Sequence, residues 1–139
     1  VRLTAAQLRA ALTPRTKAVV LPFPSNPTGG ILERADLEAL AGVLKDTNAM
    51  VLSDEIYAEL TYGQKHVSPA NLPELYDRTI VVNGFSKSHA MTGWRIGYAC
   101  ANDVIAKVMA NYVSHSTGSP VAISPEGRRC GPLRFPGGD

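Results

Sequence analysis

Cysteine, histidine and aromatic residues are all scarce in this sequence. Its two cysteines, Cys100 and Cys130, cannot make the disulfide framework of a small secreted domain, and their spacing is not that of metal ligands. No secretory signal pattern opens the chain, so they read as reduced thiols of a cytoplasmic protein. The three histidines, His66, His89 and His115, include no pair at ligand spacing; no metal site is expected, and they read as polar surface or cap residues. Net charge is small as well: 14 Lys and Arg against 12 Asp and Glu leave +2, without a basic stripe or interleaved aromatics, which excludes a nucleic-acid surface. No apolar run approaches the roughly 18 residues of a membrane-crossing helix. There is no internal repeat.

What remains is an ordinary globular composition, 45% apolar and 19% charged over 139 residues, enough for one modest core. The chain opens at Val1 and closes on "SPEGRRCGPLRFPGGD", where apolar periodicity gives way to Gly, Pro and Arg. Residues 124–139 are therefore expected to be a disordered tail, and the whole is expected to be a fragment of a longer protein.

Between these ends the pattern is regular. "LTAAQLRAAL" (3–12) predicts a short amphipathic helix with Thr4 as N-cap and Gln7 three residues on. "KAVVLPF" (17–23) is an apolar run typical of a strand covered on both faces. "PSNPTGG" is a loop, and 34–48 carries Leu37, Leu40, Ala41 and Leu44 at helical spacing. "AMVLSDEIY" (49–57), "RTIVVNGF" (78–85) and "RIGYACA" (95–101) predict three further strands, with a polar connection over 63–78. "DVIAKVMANYV" (103–113) predicts a helix capped by Asp103. Apolar strands alternating with helices predict an α/β layer fold with a mostly parallel sheet.

Ligands of open α/β sheets bind beyond the carboxyl ends of the strands. The first strand is followed by Ser25, Asn26 and Pro27, the second runs into Asp54 and Tyr57, the third is followed by Ser86 and Lys87, and Arg95 opens the fourth. Singly, each has a plain reading: Asp54 a turn residue, Lys87 a solvated charge, Arg95 a partner of Trp94. Together they place an acid, an amide, a phenol, a hydroxyl and two cations along one sheet edge. Glu55, next to Asp54, should face the other side of the sheet in a structural role. Trp94 and Met91 read as packing residues, and Gly84, Gly93 and Gly97 as points of close backbone approach.

"SNPTG" (25–29), "DEIYAEL" (54–60) and "GFSKSHAMTGWRIGY" (84–98), in this order and at these separations, resemble the class I/II aminotransferases, pyridoxal-phosphate enzymes of fold type I. The similarity covers about residues 1–123, the central part of that family's large, cofactor-binding domain. It implies pyridoxal 5'-phosphate as cofactor and Lys87 as the Schiff-base and proton-transfer lysine, which must be neutral in use and is therefore expected to be buried. It implies Asp54 as partner of the pyridine nitrogen, Asn26 and Tyr57 as partners of the phenolic oxygen, and Ser86 and Arg95 as phosphate ligands. The Asn26–Pro27 peptide is expected to be cis. Gly84 stands where many relatives carry a hydroxyl, so one phosphate hydrogen bond is replaced or absent.

The implied reaction exchanges an amino group between an amino acid and a 2-oxo acid, in a cytoplasmic homodimer. A lyase or synthase of the same fold and a cofactor-binding regulatory domain are the alternatives; the intact "MTGWRIGY" favours transamination. The isolated chain is expected to be inactive.

Overall fold

A computed structural model describes residues 2–116. The elements follow in the order α1 (Ala5–Ala11), β1 (Ala18–Pro22), α2 (Arg34–Leu44), β2 (Met50–Asp54), α3 (Pro73–Tyr76), β3 (Thr79–Gly84), β4 (Gly97–Cys100) and α4 (Asp103–Ser116), with 3-10 turns at Pro69–Asn71 and Thr92–Trp94. The strands form one sheet in chain order, β1-β2-β3-β4. The first three are parallel, with Val20 opposite Leu52 and Leu52 opposite Ile80. β4 is antiparallel to β3, pairing Gly97 with Gly84.

The helices begin where the side chains can cap them. Thr4 and Gln7 form the expected capping box at α1. At α2 the Asp36 carboxylate accepts from the Glu33 N–H at 2.9 Å, and Arg2 bridges Glu33 and Asp36. At α4 the cap is Asn102 rather than Asp103: its Oδ1 accepts from the Ile105 N–H at 3.0 Å, while its Nδ2 donates to the Asp77 carbonyl at 2.7 Å. Either residue type makes a good cap; Asn102 holds the place because it also ties α4 to the end of α3. The connection expected to be a loop over 63–78 contains α3, started by Pro73 at its first position.

The core lies on one face of the sheet. Leu21 and Val51 project from it against Leu37, Leu40, Ala41 and Leu44 of α2, with Leu8 of α1 and Leu72 and Leu75 around α3, and Val81 is buried on the same face. A fully buried leucine contributes roughly 1.5–3 kcal/mol, so this cluster carries most of the favourable free energy of the fold. The opposite face departs from expectation. Alternation places Val20, Leu52, Ile80 and Val82 there, and Val20 is 57% exposed. The strands are apolar on both sides, but among the described residues only one side is covered. α4 likewise buries no side chain, and Val104, Val108 and Tyr112 are exposed. The expectation of a tail over 124–139, and Cys130 with it, lies outside the described residues. No helix among the described residues is long and apolar enough to cross a membrane.

Candidate active site

The direction of β4 is what gathers the candidate residues. In a wholly parallel sheet, Arg95 would stand at the edge opposite the carboxyl ends of β1 to β3. Because β4 runs antiparallel, its beginning meets the end of β3 at the Gly84–Gly97 pair. Lys87, three residues beyond Gly84, and Arg95, two residues before Gly97, thus share one edge.

Between them lies an open cleft of about 530 Å³. Ser86, Lys87, Thr92 and Arg95 line it, with Asn83, Gly84 and Ile56. The chain after β3 folds back on itself to form it: the His89 and Met91 amides donate to the Phe85 carbonyl at 3.2 and 3.3 Å, and the Ala90 amide to the Lys87 carbonyl at 3.3 Å. Two residues of this segment, Ala90 and Arg95, have φ of 53°, a left-handed conformation rare for side chains other than glycine and asparagine. Such strain gathers at functional segments. The Arg95 guanidinium is held by one donor, Nη1 to the Thr92 carbonyl at 3.0 Å, which leaves the rest of the fork to an anion.

Gly84 belongs here for steric reasons. A Cβ on it would lie 2.9 Å from the Ile96 carbonyl oxygen and 3.2 Å from the Gly97 Cα, closer than packed atoms tolerate. At Gly97 a Cβ would lie 3.0 Å from the Asn83 carbonyl oxygen. Gly93 is different from expectation: nothing lies within 4 Å of the place of its Cβ, so close approach does not explain it. Trp94 is 46% exposed rather than packed.

A second group sits beside the cleft. Asn26 Nδ2 donates to Tyr57 Oη at 2.9 Å, joining the loop after β1 to the turn after β2. That loop is closed by the Gly29 and Ser25 amides, which donate to the Ser25 and Gly30 carbonyls at 2.8 Å. The Asn26–Pro27 peptide is cis as expected, and so is Phe23–Pro24. Lys87 Nζ stands 5.5 Å from the centre of the Tyr57 ring, within cation–π range, and this contact links the two groups. Asp54 ends β2 between Pro22 and Val82 on the open face, and its Oδ1 accepts from the Ile56 N–H at 3.2 Å. It does not line the cleft. Lys87 was expected to be buried and is exposed, because the face on which it stands has no covering layer among the described residues.

Sequence reasoning passed over two residues. Asn83 lines the cleft, and its Oδ1 accepts from the Gly84 N–H at 2.7 Å; its place one residue before a glycine at a strand end was the available signal. His66, expected at the surface, lies with its side chain 13% exposed and Nε2 3.0 Å from Glu55 Oε2. Glu55 is on the core face as expected and is 5% exposed. Burial pushes its carboxyl up, but the adjacent His66 imidazole and hydrogen bonds from Ser68 and Ser53 outweigh this and hold it below the usual carboxylate range. Among the described residues no three His, Cys, Asp or Glu side chains gather as a metal site requires.

The chemistry of this donor set fits a phosphorylated aromatic aldehyde. A forked cation and a hydroxyl suit phosphate, an amine suits the carbonyl carbon, an amide and a phenol suit a ring oxygen, and a carboxylate suits a ring nitrogen. A Cβ at Gly84 would reach the backbone at Ile96 and Gly97, so the approach of the chain after Arg95 to the end of β3 depends on this glycine.

A family model described as aminotransferase class I and II matches residues 1–124. An aspartate aminotransferase of Geobacillus stearothermophilus is 52% identical over 125 residues, covering 88% of this chain and 32% of that one. A probable N-acetyl-LL-diaminopimelate aminotransferase of Bacillus subtilis is 58% identical over 106 residues, covering 76% of this chain and 26% of that one. The crystal structure of the Rhizobium meliloti aspartate aminotransferase superposes with a TM-score of 0.84 at 46% identity, over 88% of this chain and 31% of that one. The chain spans about a third of the length of the curated relatives it matches.

Proposed function

This chain belongs to the class I and II aminotransferases, and from that premise we propose that the full-length protein uses pyridoxal 5'-phosphate to move an amino group from an amino acid to a 2-oxo acid. Residues 1–123 would be the central part of its cofactor-binding domain. The observation that carries the reading is the convergence of Ser86, Lys87 and Arg95 on one cleft, with the Asn26–Tyr57 pair reached across the 5.5 Å Lys87–Tyr57 contact. The aspartate aminotransferases among the relatives support an acidic amino donor. We read the working form as a cytoplasmic homodimer.

The cofactor, when bound, supplies an electron sink for the bond broken at the substrate α-carbon. This chain's residues prepare and use it. Ser86 Oγ and the open side of the Arg95 fork would hold the phosphate, the fork giving two parallel donors where a lysine would give a point charge. Asp54 would favour a proton on the ring nitrogen by charge and hydrogen bonding. Tyr57 Oη accepts from Asn26, so its own hydrogen is left to donate to the ring oxygen, and the second Nδ2 hydrogen of Asn26 can join it. Lys87 Nζ, in its neutral form, would bind the cofactor through its carbonyl carbon, the carbonyl oxygen leaving as water, and, once displaced by the substrate amine, would serve as the base that carries the α-proton.

The test uses the full-length protein. Added pyridoxal 5'-phosphate should produce a visible absorbance band that Lys87→Ala abolishes, together with turnover of a panel of amino donors. A wild-type protein that shows no such band ends the reading.

A further inference from the structure

The buried cluster around Glu55 has no part in the chemistry just described, yet it lies directly beneath it. Alternation along β2 sends Asp54 to the open face and Ser53 and Glu55 to the core face. Glu55 is the last point at which this chain is tied to the sheet, its N–H donating to the Val82 carbonyl at 2.8 Å. Immediately after it the chain turns, with the Ala58 amide on the Glu55 carbonyl and the Leu60 amide on the Tyr57 carbonyl, both at 2.9 Å. The Glu55 carboxylate therefore roots a turn that begins at Asp54 and carries Tyr57.

Both of its oxygens are engaged. Oε1 accepts from Ser53 Oγ at 3.0 Å and from Ser68 Oγ at 2.6 Å; Oε2 faces His66 Nε2 at 3.0 Å, within ion-pair distance but without hydrogen-bond alignment. Ser68 also caps the following 3-10 turn, its Oγ accepting from the Ala70 N–H at 3.2 Å. A buried ionic cluster is a poor way to gain stability alone, since desolvation of the charges offsets their attraction and apolar packing does as well. What hydrogen bonds at fixed lengths supply and apolar packing does not is direction.

Resting on the aminotransferase reading, we infer that Glu55, His66 and Ser68 form a tether that positions Asp54 and Tyr57 from the far side of the sheet. They act through the turn and touch neither substrate nor cofactor. Support of this kind holds the reacting groups of a site in productive geometry, and at metal sites the loss of such outer partners typically costs 10–100-fold in affinity.

The experiment compares full-length wild type, Glu55→Gln and Arg78→Ala. Arg78 donates to the Leu44 and Thr47 carbonyls at the far end of α2, so its variant loosens the fold away from the site. Two readouts are taken: amide hydrogen exchange over 54–60 in the cofactor-free protein, and visible circular dichroism per bound pyridoxal 5'-phosphate. Glu55→Gln should speed exchange over 54–60 by about tenfold and lower the dichroism to half or less, with cofactor affinity weakened about tenfold. Arg78→Ala should leave both as in wild type. If Glu55→Gln does not fold, Ser68→Ala removes a single hydrogen bond and should move both readouts the same way by less. Unchanged exchange overturns the tether. Faster exchange with unchanged dichroism overturns its positioning role, and a wild type without a visible band overturns the functional reading on which that role rests.

Discussion

Arg95 shows a single residue serving two masters. Its side chain lines the cleft as the proposed phosphate ligand, and its backbone sits at φ 53°, a conformation that costs a residue with a Cβ roughly 1–2 kcal/mol. Arg95→Ala and Arg95→Gly both remove the guanidinium, but only glycine relieves the backbone. Glycine is therefore expected to be the more stable variant by about 1 kcal/mol in urea unfolding, while both lose cofactor affinity. Glu55 carries the pH dependence at this scale. Its folded pKa lies below the ordinary value of 4.5, so the unfolded chain binds the proton first as pH falls. The stability contributed by Glu55 is then whole above about pH 4.5 and is lost as pH falls through the lower folded value. Denaturant unfolding of wild type and Glu55→Gln should show the gap between them narrowing as pH is taken down from neutrality through 4.5 and below.

At the scale of elements, α2 is held at its carboxyl end from outside itself. Arg78 Nη1 donates to the Leu44 and Thr47 carbonyls at 2.9 and 2.8 Å, across 34 and 31 residues of sequence. Arg78→Ala should cost about 1–2 kcal/mol, read as a lower thermal midpoint. That bond also shows where the sequence was legible and where it was not. The strands and α1, α2 and α4 follow from local signals: apolar runs, helical spacing of Leu37, Leu40 and Leu44, and a capping box at Thr4. The motif residues Asn26, Tyr57, Ser86, Lys87 and Arg95 could be named because each follows or opens a predicted strand. Arg78, His66 and Asn102 could not, because their partners are remote or their choice depends on a neighbour's competing bond. Gly93 was misread because glycine beside an arginine has several causes and the sequence cannot separate them. β2 was read three residues too far because "EIY" is strand-like in composition, whereas Asp54 bonds the Ile56 amide and starts a turn.

At the scale of the whole molecule the decisive property is a sheet with one side covered among the described residues. Val20 and Val82 on the open face, and Val104, Val108 and Tyr112 on α4, are exposed apolar groups of the kind that drive association. The purified 139-residue chain is expected to self-associate and to turn over no amino donor, in contrast to the turnover proposed for the full-length protein. Light scattering after size exclusion, with a coupled assay on the same fractions, checks both; a monomer with measurable turnover would contradict the expectation.

The strand order carries one more consequence, for synthesis rather than for chemistry. Strands that neighbour each other in space are also successive in the chain. As the chain leaves the ribosome, each of β2, β3 and β4 finds its described neighbour already made. Lys87 and Arg95 come last among the candidate site residues, after Asn26, Asp54 and Tyr57 have been laid down. The lysine and arginine of the candidate site are thus added to an edge that already exists.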